Sequence, residues 1–264
     1  MQEHSRIIVE TFLLSASMET NENRTGDYLF TIVVPVYNEE ENISGLEEKL
    51  RSFLPQSLYK TSVLFVNDGS TDKSGKRIRE ICERNDDFFY LDLQENGGLS
   101  AALKAGFDYC FSQFTGYMDA DMQTDVEDFN LLLPHLATHE FVTGIRANRK
   151  DSFFKNLQSR IANGYRRMMT GDGVSDTGCP LKVMHTKYAK RIPMFNGMHR
   201  FLPALILLQN GRIRQIPVRH YPRVAGKSKY HLWNRLTGPF IDCFAYRWMR
   251  KRYINYHIGA SNLD

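Results

Sequence analysis

The sequence predicts an α/β protein in which a mostly parallel central sheet is flanked by helices. Two observations carry that expectation. Short β-branched runs recur through the first half, and each is followed by apolar residues at helical spacing. Four polar clusters also fall directly after or between these runs: Pro35–Glu39, Asp68–Ser70, Asn96-Gly97 and Asp119–Gln123. In a sheet built from βαβ units the carboxyl ends of the strands share one edge, and ligands gather there.

Taken in order, residues 1–28 are polar after their first turns and read as a loosely ordered extension. Phe30–Tyr37 reads as a buried strand. Ile43, Leu46, Leu50 and Phe53 form one helical stripe. Thr61–Val66 is a second strand, Lys73–Arg84 a charged helix and Phe88–Leu93 a third strand. The turn at Gly97-Gly98 opens a helix whose Leu99, Ala102, Leu103, Gly106 and Tyr109 are expected to face inward. A short strand at Gly116–Met118 ends at Asp119.

Beyond residue 140 the pattern loosens. Phe141–Ile145, Leu181–His185 and Arg212–Val218 read as strands, and Phe153–Thr170 as a basic helix. Leu232–Tyr256 is amphipathic and basic. The chain thus divides into an extension (1–28), one main domain (29–230) and a basic C-terminal segment (231–264).

Charge divides along the same line. Residues 1–140 hold 11 Lys+Arg against 25 Asp+Glu, a net of −14, and residues 141–264 hold 23 against 5, a net of +18. A surplus of that size in the second half points to an anionic partner and leaves its arginines few acids to pair with. Cys82, Cys110, Cys179 and Cys243 form no CxxC pair and no zinc spacing, so they read as reduced thiols of a cytosolic protein. No run approaches the roughly 18 apolar residues of a membrane span; Phe201–Leu208 is too short. Ile7–Met18 is interrupted by Glu10 and lacks a clear cleavage site, so it does not read as a secretory signal.

Asp119-Ala120-Asp121 carries the chemistry. Two carboxylates two residues apart, just past a strand, suit one divalent cation shared with phosphate oxygens and water. Such a metal neutralises charge on a diphosphate leaving group. An Asp-x-Asp tripeptide is also common in surface loops, and its place at the end of an apolar strand, followed by Gln123, is what raises it above that background. Asp68 sits one position too early to cap the next helix and is placed to accept from a nucleobase or ribose; Ser70 and Asp72 read as turn and cap residues. Asn38 is expected to cap its helix, with Glu39 reaching a ribose hydroxyl.

Six motifs then run in a recognisable order: Thr31–Glu39 (TIVVPVYNE), Val66–Asp72 (VNDGSTD), Asp119–Gln123 (DADMQ), Asp176–Lys182 (DTGCPLK), His199–Pro203 (HRFLP) and Gly226–Tyr230 (GKSKY). With them the chain resembles the family 2 glycosyltransferases of the GT-A fold, and within these the dolichol- or polyprenyl-phosphate sugar transferases. The resemblance spans roughly residues 30–240. It implies an inverting transfer of a sugar from a nucleotide-sugar donor, UDP- or GDP-linked, with Mg²⁺ or Mn²⁺. Pro35, Tyr37, Glu39, Asp68 and Asn96 would line the donor's nucleoside end. Asp119, Ala120, Asp121 and Gln123 would hold metal and diphosphate, and Arg146 and Arg160 would face the acceptor phosphate. Arg200, with Lys227 and Lys229, would close over the diphosphate.

The implied acceptor is a polyprenyl phosphate at the cytosolic face of the membrane. A lipid monophosphate has a second pKa of about 6 and attacks without a general base. Asp176 is the candidate base for a hydroxyl acceptor; for a phosphate acceptor it orients the donor sugar or the acceptor arginines. A saccharide or glycolipid hydroxyl in cell-envelope synthesis is the alternative acceptor. A nucleic-acid partner is not expected, because the basic residues form no reading motif. The chain departs from the family pattern in two places. Glu95 and Leu99 stand in a segment where many relatives carry a basic residue, which leaves the donor sugar open. Many relatives also carry C-terminal transmembrane helices. Here Trp233, Phe240, Phe244, Tyr246, Trp248 and Tyr253 are interleaved with Arg235, Arg247, Arg250, Lys251 and Arg252 instead. That mixture suits a membrane surface, a membrane-protein partner, or an ordinary packed helix with a basic outer face.

Overall fold

The structure, a computed structural model, describes residues 27–146, 163–221, 237–256 and 259–260. Its centre is one sheet of seven strands. They are β1 (Phe30–Val36), β2 (Thr61–Asn67), β3 (Phe88–Asp92), β4 (Phe114–Tyr117), β5 (Phe141–Arg146), β6 (Lys182–His185) and β7 (Ile213–Val218). Their order is β3-β2-β1-β4-β6-β5-β7. Only β6 runs against its neighbours β4 and β5; the other pairings are parallel. Strand spacing in the sequence does not reveal that reversal, because a connection as long as the one between β5 and β6 is compatible with either direction.

Every residue of β1 and β2 is buried. Such strands need cover on both faces, which is why they read as unbroken apolar runs rather than alternating ones. One face packs β1 residues Phe30, Ile32, Val34 and Val36 against α1 (Ile43–Phe53), whose stripe Ile43, Leu46, Leu50 and Phe53 is fully buried as expected. α2 (Ser74–Arg84) adds Ile78 and Ile81. The opposite face packs Val33, Leu64 and Val66 against α3 (Leu99–Tyr109) and against α5 (Leu202–Leu208). Each fully buried Leu or Phe contributes about 1.5–3 kcal/mol relative to exposure, so these two faces dominate the favourable side of folding.

Within α3 one expectation fails. Ala102, Leu103 and Gly106 are buried, but Tyr109 is 69% exposed and Phe107 takes the inward place. The helix lies so close to the sheet at Gly106 that an added Cβ would meet Val33 Cγ1 at 2.4 Å. That approach fixes the rotation of α3 and turns position 109 outward.

Tyr28, just ahead of β1, is packed: its hydroxyl donates to Asp87 at 2.6 Å and Lys60 lies over its ring. The basic helix expected over Phe153–Thr170 is seen as α4 at residues 163–170; its earlier part lies outside the described residues. α6 (Thr237–Arg252) packs Cys243 and Tyr246 inward, with the Tyr246 hydroxyl donating to the Ala204 carbonyl of α5. Among the described residues no helix is long and apolar enough to cross a membrane.

Candidate active site

The topology opens a crevice at one place. From β1 the chain winds outward through β2 to β3, then crosses back to β4 on the other side of β1. The carboxyl ends of β1 and β4 therefore part at a topological switch point. The β1–β4 ladder ends at Val33↔Tyr117, so β1 runs on as Val34, Pro35 and Val36 beside β2 alone. Pro35 thus sits where its missing N–H costs no ladder bond to β4. Tyr37–Glu39 leave one side of this crevice, and Asp119–Asp121 leave the other.

Loops on the β1 side are braced against each other. Asn38 has φ +51, and its Oδ1 accepts from the backbone N–H of Thr71 at 2.8 Å and of Asp72 at 3.4 Å. Its own N–H donates to Ser70 Oγ at 3.0 Å. Glu39 N–H donates to Ser74 Oγ, and Glu40 N–H to Asp72 Oδ2. Asn38 therefore does not cap α1; Asn42 stands at that position, without a side-chain cap bond. Ser70 braces a neighbouring loop rather than capping α2, while Asp72 does accept from Ser74 N–H at the start of that helix. The carboxylate of Glu39 accepts from Asn42 Nδ2 at 2.7 Å.

Asp68 is buried at the end of β2. Its oxygens accept from Gly97 N–H at 2.8 Å and Asn96 Nδ2 at 3.0 Å, so the Asn96-Gly97 turn is moored to it. The next helix starts at that turn, and Ser100 on its first turn organises a second loop. Ser100 Oγ pairs with His199 Nδ1 at 2.8 Å and accepts from Gly197 N–H at 3.1 Å. His199 is pushed well below its usual range, to about 3, by burial of its ring and by the nearby Arg200 and Lys182 charges; it is a neutral hydrogen-bonding group. Beside it Arg200 is half-buried, and Asp242 from α6 reaches the same turn: a Cβ on Gly197 would meet Asp242 Oδ2 at 2.7 Å and Arg200 Nη1 at 3.7 Å.

On the β4 side, the Tyr117 hydroxyl donates to Asp119 Oδ1 at 2.6 Å. Ala120 and Asp121 are buried, and Asp121 Oδ1 accepts from Gln123 N–H at 3.2 Å. Met122 between them has φ +55, a conformation that costs a side-chain-bearing residue about 1–2 kcal/mol. Gln123 is clamped to the end of β7: its carbonyl accepts from Tyr221 N–H at 2.8 Å. Residues 222–230 follow directly from this clamp. Lys227 and Lys229 lie among them, outside the described residues, as does Arg160.

Across β6, Arg146 at the end of β5 donates through Nε and Nη2 to Asp176 at 2.8 and 2.7 Å, a bidentate pair. The Asp176 loop is itself held by Arg166, which pairs with Asp172 and donates to the Val174 carbonyl. Arg219 likewise meets Asp125, Glu127 and Asp128, and Arg212 meets Glu140. The expectation that second-half arginines find few acidic partners is therefore corrected for Arg146, Arg166, Arg212 and Arg219. The few acids there, and several from the first half, are placed opposite arginines by the fold.

Lys182, the last residue of the DTGCPLK motif, is fully buried in this cluster. Burial lowers its pKa, and Cys179, Asp119 and Asp176 oppose that. Its burial carried no local sequence signal, because it depends on pairing with β4 and β5.

A model of the family described as Glycosyl transferase family 2 matches residues 31–192. The chain belongs to that family. Among its relatives in family 2 is a dodecaprenyl-phosphate galacturonate synthase of Rhizobium johnstonii, 32% identical over 206 residues, which covers 76% of this chain and 61% of that protein. Another is an undecaprenyl-phosphate 4-deoxy-4-formamido-L-arabinose transferase of Edwardsiella ictaluri, 31% identical over 204 residues, with 76% and 63% covered. The chain thus spans a little over three-fifths of the length of these relatives. Solved structures with the same fold include a Pyrobaculum calidifontis mannosyltransferase in complex with GDP-Man and Mn²⁺ (TM-score 0.60, 18% identity, 89% of this chain and 67% of that one). A glucosyl-3-phosphoglycerate synthase of Mycobacterium tuberculosis, in complex with Mn²⁺, UDP and glucosyl-3-phosphoglycerate, gives TM-score 0.64 at 13% identity, with 90% and 85% covered.

Proposed function

We propose that this family 2 glycosyltransferase moves a sugar from a nucleotide donor to a polyprenyl phosphate, with inversion at the anomeric carbon. One observation carries the reading. Asp68, Asp119 and Asp121 follow β2 and β4 beside the crevice, and the Arg146–Asp176 pair stands across β6 at the end of β5. The names of the family 2 relatives support the acceptor class.

Tyr37, Glu39, Asp68 and Asn96 bind the nucleoside in this reading. Asp119 and Asp121, with Gln123 beside them, hold a divalent cation. The two carboxylates, two residues apart just past β4, are the hard oxygen donors such an ion takes, and Mg²⁺ or Mn²⁺ would fill its remaining positions with phosphate oxygens and water. The ion's chemistry is charge neutralisation on the departing diphosphate. Arg200 and the Lys227–Lys229 segment close over that diphosphate. Arg146 presents its guanidinium to the acceptor phosphate, with Arg160. Both oxygens of Asp176 engage one guanidinium, so its task is to orient Arg146 rather than to take a proton. That suits an acceptor already ionised at neutral pH.

The exposed face of α6 supports a peripheral position at the cytosolic side of a membrane, where such an acceptor is held. Incubation with undecaprenyl phosphate, Mn²⁺ and a panel of UDP- and GDP-sugars tests the proposal. A lipid-linked product cleaved by mild acid is expected; an acid-stable glycoside would move the reading to a hydroxyl acceptor.

A further inference from the structure

Lys182 has no task in the scheme above, and its surroundings define one. It stands at the start of β6, in register with Tyr117 of β4 and Thr143 of β5. Its side chain is wholly buried. Its ammonium donates to the Cys179 carbonyl, a neutral partner, and lies 5.2 Å from the centroid of the Tyr117 ring. The hydroxyl of that same ring donates to Asp119 Oδ1 at 2.6 Å.

Taking an ammonium out of water costs several kcal/mol, and an apolar side chain of similar volume avoids that cost. A buried lysine is therefore a poor device for stability alone. Here the charge lies against the face of the ring that holds Asp119. A cation over an aromatic face draws on the ring's electrons and makes the phenol a stronger donor. The 2.6 Å hydrogen bond has the length of an O–H donor to an ionised acceptor, so the ring is coupled directly to the Asp119 charge. Asp119 and Asp176 are near enough to act on the same charge.

We propose that Lys182 is a positioning residue: acting through the Tyr117 ring, it fixes the Asp119 carboxylate in the orientation that receives the metal-bound donor diphosphate. The inference rests on the donor reading of Asp119 given above. The route is Lys182 to Tyr117 to Asp119. It joins β6, the one reversed strand, to the loop that carries the two acids.

Calorimetric titration of the full chain with UDP and with GDP, each with Mn²⁺, tests it alongside thermal melts. Lys182→Met is expected to weaken nucleotide binding on the order of 10- to 100-fold, the usual cost of losing an outer partner of a metal ligand. Its melting temperature should be unchanged or higher. Tyr117→Phe should lose a similar factor, and the double variant no more than either alone, because both act on one carboxylate. Lys182→Arg, which keeps the charge, should recover part of the loss. Wild-type binding by Lys182→Met, or losses that multiply in the double variant, would overturn the inference. If Lys182→Met does not fold, Tyr117→Phe decides, and full binding by that variant overturns it. Asp119→Asn separates the two levels. If that variant and the wild type bind equally, or if the wild type shows no Mn²⁺-dependent binding, the donor reading itself fails. If Asp119→Asn loses binding while Lys182→Met keeps it, only the lysine's role fails.

Discussion

Asp121 illustrates how a carboxylate serves structure and chemistry with different properties. Its Oδ1 accepts from Gln123 N–H and so closes the turn that holds Met122 at positive φ. An asparagine at this position keeps an oxygen for that turn but gives up the charge a divalent cation needs. Asp121→Asn is therefore expected to melt within a few degrees of the wild type while losing metal-dependent turnover. Thermal melts and a radiolabelled-sugar transfer assay check the two halves, and unchanged turnover would remove Asp121 from the metal site. His199 makes a separate prediction about acid. Its folded pKa, about 3, lies below the ordinary 6.5, so the unfolded chain binds its proton first. The contribution is complete above pH 6.5 and is lost as pH falls from there toward 3. Melting temperature should drop across that window, and His199→Gln, which still pairs with Ser100 and cannot charge, should drop less. Parallel curves for the two proteins would show that His199 is not held neutral.

The turn from Gly197 to Arg200 is the element on which the two halves of the site converge. Ser100 of α3 holds it from one side, and Asp242 of α6 approaches it from the other. Gly197 has φ +88 and no room for a side chain on its Asp242 side. Gly197→Ala should therefore cost at least the about 1–2 kcal/mol of left-handed backbone. It should also displace the Asp242 carboxylate, which the added Cβ would meet at 2.7 Å, and so disturb the turn that carries Arg200, raising the KM for donor; melts and donor titrations of the variant read both, and a wild-type KM would separate the turn from the donor. The sequence offers the HRFLP motif and Arg200 within it, but not the Ser100 and Asp242 contacts that hold the turn. The strands and the buried stripe of α1 were legible, because residues 43, 46, 50 and 53 signal their common face locally. The acids at the ends of β2 and β4 were legible as well, since a polar cluster after an apolar run marks a strand end. The contacts Asn38–Thr71, Ser100–His199 and Arg146–Asp176 join residues 30 or more positions apart. No periodicity encodes such pairs, which is why the sequence suggests a helix cap at Asn38 and few acidic partners for the arginines.

The whole chain is divided in charge, and α6 lies in its basic half. Phe240, Ile241, Phe244 and Trp248 of that helix are exposed, Trp248 by 64%, and they recur at intervals of about one turn. Met168 of α4 is exposed as well, and Tyr165 of α4 stacks on Phe240 at 5.1 Å. Arg247, Arg250, Lys251 and Arg252 are exposed on the same helix, with Arg252 over the Trp248 ring. Aromatic residues mixed with cations match the boundary between anionic headgroups and acyl chains. The inner side of α6 meanwhile reaches Gly197 through Asp242, so a membrane held at its outer side lies close to the turn that carries Arg200. Binding is therefore expected to vesicles containing anionic phospholipid, to weaken as salt is raised, and to be poor for zwitterionic vesicles. Phe244→Ser with Trp248→Ser should reduce co-sedimentation roughly tenfold or more by removing buried apolar area, while leaving metal-dependent nucleotide binding intact. Equal binding by this variant, or binding that ignores lipid charge, would mean that the aromatic face of α6 meets a protein partner rather than a membrane.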